Sequence, residues 1–74
     1  MKERILKMLK AKANEKREKA LTSLELLMDN SVGIGDHSTG DFYKNIEEAF
    51  QNLVDADDTL ETLGKYDWNN MKDM

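Results

Sequence analysis

Between residues 42 and 63, apolar side chains recur at Phe42, Ile46, Ala49, Leu53, Ala56, Leu60 and Leu63, in steps that alternate four and three. That alternation is the heptad of a helix packed along its length against another helix. It predicts a helix over 41–63. Asp41, Glu47 and Glu48 load its first turns with negative charge, which is favourable at the positive end of a helix dipole. Gly64 is placed to end it.

A thinner stripe precedes it. Leu6, Ala13, Ala20 and Leu27 recur every seven residues, widened by Leu9 and Leu24. The segment is rich in Lys, Leu, Glu and Ala and lacks Gly and Pro, so a helix is predicted over about 2–29. Ala13 and Ala20 bury little area, and Lys16 sits near the seam. Small residues there let a neighbouring helix approach closely. Glu3–Lys7 and Glu15–Lys19 are i,i+4 pairs in the favourable order.

Residues 30–40 connect the two helices and include Gly33, Gly35 and Gly40. Asn30 or Gly33 suits the left-handed position past a helix end. Ser38, Thr39 or Asp41 suits the next cap, and Ser38 with Asp41 has capping-box spacing. Roughly 2–8 residues is usual for a helix–helix connection, and this one is longer, as functional or flexible loops are. The tail, 64–74, holds Tyr66, Trp68 and Met71, and either docks by its aromatics or frays.

With this loop the helices fold back antiparallel. The expected fold is all-α: one antiparallel two-helix hairpin, a single domain over 1–74. A lone hairpin has one layer of contact, and Ile5, Leu21, Met28 and Phe50 are left needing cover. The hairpin is therefore expected to complete a four-helix bundle, by dimerisation or with a partner.

Length and composition strengthen that expectation. A chain of 74 residues makes one domain at most, and a core this small supplies only ~3–5 kcal/mol. There are no cysteines, so disulfide and thiolate–zinc staples are excluded. Oligomerisation is the remaining common staple. The chain is 35% charged and has no proline, which suits long helices. No apolar run approaches the ~20 residues of a membrane span. Lys7 and Lys10 break the first apolar stretch, where a secretory signal needs ~7–15 apolar residues. These features lead us to expect a soluble, cytoplasmic protein.

Charge is segregated along the chain. Residues 1–20 hold eight basic and three acidic side chains, a net of +5. Residues 21–74 hold three and twelve, a net of −9. Folded antiparallel, the basic start lies beside Asp55, Asp57, Asp58 and Glu61.

Candidate chemistry is sparse. Gly33-Ile34-Gly35 before a helix has the look of a phosphate cradle. Genuine fingerprints follow a strand, however, and Asp36 and Asp41 would repel phosphate. Asp36, His37 and Asp41 are close in sequence and are possible metal ligands, but no register gives the alternating oxygens and final glutamate of a calcium loop. No metal or cofactor is expected. His37 beside Ser31, Ser38 and Thr39 lacks a pocket and an oxyanion site, so no catalytic residue is assigned. Lys10, Lys12, Lys16 and Arg17 in the basic helix are the candidate contacts to nucleic acid. They lie on several faces, with few aromatics to stack on bases. Membrane-surface docking through Ile5, Leu6, Met8 and Leu9 is a weaker reading, and no membrane partner is expected.

The loop Asn30-Ser31-Val32-Gly33-Ile34-Gly35-Asp36-His37 resembles a loop in small uncharacterised proteins of tailed phages, notably marine and cyanobacterial myoviruses. In those proteins too a charged helix precedes the loop. An acidic helix with an Ala-Asp/Glu-Asp/Glu-x-Leu segment follows, matched here by Ala56-Asp57-Asp58-Thr59-Leu60. The resemblance covers about residues 20–64 and brings no activity with it. It implies a phage-encoded accessory protein, acting on a host protein in the host cytoplasm or sitting in the virion. The expected function is thus a non-enzymatic protein–protein interaction module, likewise expected to be a homo-oligomer, whose partner the sequence does not name. Ile34, Asp36, His37, Tyr66 and Trp68 are its candidate partner contacts. Nucleic-acid binding stands second.

Overall fold

The computed structural model describes residues 1–29 and 39–70. Helix α1 (Lys2–Asp29) and helix α2 (Thr39–Lys65) pack against each other, and a short 3-10 turn (Trp68–Asn70) follows. Residues 30–38, the cap candidate Ser38 among them, and residues 71–74 fall outside the described residues.

The predicted helices form, and α2 is longer than 41–63 at both ends. The difference at its end is a correction with a physical reason. Gly64 does not stop the helix, which runs on to Lys65. Glycine in a helix costs only about 1 kcal/mol relative to alanine, and the Trp68 indole N–H donates to the Leu63 carbonyl at 2.6 Å. That bond satisfies one of the carbonyls that a helix end leaves without a partner.

The two helices run antiparallel: the nine residues between them cannot carry the chain back along a helix of about 42 Å, and Ser23 and Leu27 of α1 share a groove with Asn52 and Asn45 of α2. Lys16 Nζ lies 3.8 Å from Asp55, and Arg17 Nε lies 3.2 Å from Asp57. The contact between basic and acidic side chains thus falls at Lys16 and Arg17, midway along α1, rather than at its start. Each bridge is half-exposed and contributes ~0–1 kcal/mol. Of the two intrahelical pairs expected, Glu15–Lys19 closes at 3.1 Å, and Glu3–Lys7 is not within bonding distance.

The seam is the predicted one. All seven α2 positions from Phe42 to Leu63 are buried or half-buried. On α1, Leu6, Ala13, Ala20, Leu24 and Leu27 are too. Two details differ. Arg17 stands within the seam as a half-buried polar member beside Lys16, which sits near it as expected, and Leu9 at its edge is 39% exposed.

In heptad terms, Ile46, Leu53 and Leu60 occupy a positions, and Phe42, Ala49, Ala56 and Leu63 occupy d. On α1, Lys10, Arg17 and Leu24 are a, and Leu6, Ala13, Ala20 and Leu27 are d. The antiparallel register, with Ser23 and Leu27 level with Asn52 and Asn45, then builds layers. Arg17 faces Ala56, Ala13 faces Leu60, Ala20 faces Leu53, and Leu24 faces Ala49. Four consecutive layers each contain one alanine, so a large side chain meets a small one throughout. Ala56 is fully buried and Ala20 is 3% exposed.

The result is thin. The hairpin measures 56 × 19 × 14 Å, with a radius of gyration of 16.9 Å, where a compact domain of this length has about 11 Å. Among the described residues no large side chain is fully buried. The seam holds the helices together without enclosing a core.

Candidate interaction surface

The sequence offers five candidate partner contacts. Ile34, Asp36 and His37 fall outside the described residues, and the structure brings the other two together. Tyr66 and Trp68 stack edge to face with ring centroids 5.5 Å apart. The Trp68 ring is half-buried, and its N–H is spent on Leu63. Asn69 N donates to Asp67 Oδ1 at 3.2 Å, which tightens the turn, and Lys65 Nζ lies 5.9 Å from the Tyr66 ring. The chain end therefore docks as far as the 3-10 turn. Trp68 caps α2, while Tyr66 keeps 43% of its surface exposed.

Of the candidate nucleic-acid contacts, two are already engaged. Lys16 pairs with Asp55, and Arg17 pairs with both Asp57 and Glu18, the latter at 3.0 Å. Lys10 and Lys12 remain, two residues apart and so on nearly opposite sides of α1. The four cations do not form one face. The carboxylates of α2 beside them would oppose a phosphate backbone.

The exposed large apolar side chains sort onto two flanks of the hairpin. The e position, next to the seam, carries Leu21 and Met28 on α1 and Tyr43 and Phe50 on α2. Met28 is 64%, Tyr43 60% and Phe50 57% exposed. Leu21 and the neighbouring Val54 are half-buried. Tyr43 meets Phe42 of the seam edge to face at 5.8 Å, so this patch is continuous with the interhelix contact. All of it lies in the half of the hairpin nearer the connection. Glu25 and Glu47 stand at its edge.

The opposite flank is different. Its g positions are Lys16, Ser23, Asn45, Asn52 and Thr59, with Leu9 and Tyr66 only near the open end. A shallow open groove there is lined by Ser23, Leu26, Asn45, Glu48 and Asn52 among others. Ile5, Met8 and Leu26 stand on the outer side of α1, separated by Lys12, Glu15, Lys19 and Thr22.

The e flank is the feature that inspection of the sequence alone understates. Leu21, Met28 and Phe50 carry apolar atoms that the sequence leaves needing cover; Tyr43 is not singled out there, and Ile5, which is, stands instead on the outer side of α1. The gathering of the flank's residues onto one face needs the register between the helices. Among the described residues, no helix is long and apolar enough to cross a membrane, and no cluster of His, Asp and Glu is arranged to hold a metal ion. No protein family, curated protein or solved structure matches this chain.

Proposed function

We propose that this protein is a non-enzymatic interaction module, a hairpin that supplies two helices of a four-helix bundle and takes the others from a protein partner. One observation carries the reading. The hairpin is a single layer that fully buries no large side chain among the described residues, while Met28, Tyr43 and Phe50 stand more than half exposed on one flank. Helices of a bundle are apolar at a, d and one adjacent position, which is the pattern this flank has and the other lacks. The resemblance of the 30–37 loop to loops of small myovirus proteins supports an accessory role in phage infection, in the host cytoplasm or the virion. The loop, with Ile34, Asp36 and His37, and the exposed Tyr66 are further candidate contacts.

The test is affinity capture from the native host's lysate, with and without nuclease, using the wild-type chain and Phe50→Glu. A protein recovered at near-equal stoichiometry, indifferent to nuclease and lost with Phe50→Glu, supports the reading. Self-association lost with Phe50→Glu supports it equally. Recovery only of nucleic acid, or of proteins lost on nuclease treatment, overturns it in favour of contacts through Lys10 and Lys12.

A further inference from the structure

We infer that the partner on the e flank is a second copy of this chain, laid face to face with both connections at the same end, so that α1 of each copy lies on α2 of the other. This rests on the bundle-completing role proposed above and specifies its occupant and geometry.

The antiparallel register within one hairpin puts Met28 at about the height of Tyr43, Leu21 at that of Phe50, Asn14 at that of Asp57, and Lys7 at that of Gly64. These are the e positions of the two helices. A two-fold axis along the hairpin's length lays each α1 position on its α2 counterpart at the same height. Met28 then meets Tyr43 of the other copy, and Leu21 meets Phe50. Apolar side chains face apolar ones on both sides of the axis, as an isologous interface requires.

The open half of the flank gives the same answer through charge. There α1 presents Lys7 and Lys10 and α2 presents Glu61, while Arg17 and Asp57 are already paired within the hairpin. With α1 on the partner copy's α2, basic side chains face acidic ones. The alternative two-fold, perpendicular to the hairpin, lays α1 on α1 with the ends reversed. That would set Lys7 and Lys10 of one copy near the Leu21 and Met28 level of the other and leave the patch over charge. Burying unpaired charge against apolar surface is costly, so the parallel arrangement is favoured. It also places every neighbouring pair of helices antiparallel, which favours all four helix dipoles.

The chain has no cysteine, so single-cysteine variants report the geometry directly. The purified full chain carrying Leu21→Cys and the one carrying Phe50→Cys are oxidised separately and as a mixture, and sedimentation equilibrium gives the mass of each unmodified and substituted form. We expect a dimer, with a disulfide formed efficiently only in the mixture. Phe50→Glu should raise the dissociation constant by roughly a hundredfold or more, and Leu26→Glu on the opposite flank should leave it unchanged. Cross-linking of Leu21→Cys alone, as efficient as in the mixture, would overturn the parallel arrangement. So would a dimer sensitive to Leu26→Glu and not to Phe50→Glu. A monomer at every concentration would overturn the homodimer. If that monomer still captured a host protein in a Phe50-dependent way, the broader reading would stand and only this inference would fall.

Discussion

Alanine sets the spacing of this hairpin. Ala13, Ala20, Ala49 and Ala56 are its most buried apolar residues together with Leu24, and each lies across from a larger side chain. Replacing Ala56, which has no exposed surface, by leucine adds volume at the most enclosed point of the seam. Overpacking of this kind costs about 1–3 kcal/mol. Ala56→Leu should therefore lower the urea midpoint by a corresponding amount, whereas Ala11→Leu, at an exposed position of the same type of helix, should change it little. An unchanged midpoint for Ala56→Leu would mean the helices do not approach closely there. Trp68 is the second residue whose part is specific. Trp68→Phe keeps an aromatic ring and removes the donor to the Leu63 carbonyl. A loss of about 0.5–1.5 kcal/mol is expected, along with faster amide exchange in the last turn of α2.

Each helix carries its own share of the information. The α2 seam was legible in the sequence because all seven positions are apolar, so the heptad reads without interruption. The α1 seam was only partly legible. Its a positions include Lys10 and Arg17, and a charged side chain in a seam looks like solvent face until its partner is known. That partner is on the other helix: Arg17 reaches Asp57 and leaves its stem over Ala56, as long basic side chains do on apolar surface. The end of α2 was not legible, because the bond that carries it past Gly64 comes from a tryptophan five residues beyond its acceptor. A double-mutant cycle on Arg17→Ala and Asp57→Ala tests the seam's polar layer. The coupling expected for so exposed a pair is about 0.2–1 kcal/mol, diminishing as salt screens it. A coupling of zero at low salt would leave the register to the apolar layers alone.

At the scale of the whole molecule, the hairpin is long, thin and unfinished. A 56 Å rod with one seam leaves half of each helix without apolar contact, yet its e flank is patterned as though a second layer were present. The apolar pattern of the sequence calls for a bundle without saying which side of the hairpin carries it, since that choice appears only when Leu21 and Met28 are brought level with Phe50 and Tyr43. The segregated charges matter here too. They pair within the hairpin near its middle, at Lys16 and Arg17, and remain available for a second layer toward the open end, at Lys7 and Glu61. Anything that binds the folded hairpin and not the unfolded chain raises its stability by mass action. The most direct measurement is therefore thermal unfolding, followed by far-ultraviolet circular dichroism, of the purified chain over a hundredfold range of its own concentration. A midpoint that climbs with concentration, with a dimeric mass before the transition, is the expected result. A midpoint independent of concentration, from a stable monomer, would contradict the claim that a second copy completes this fold.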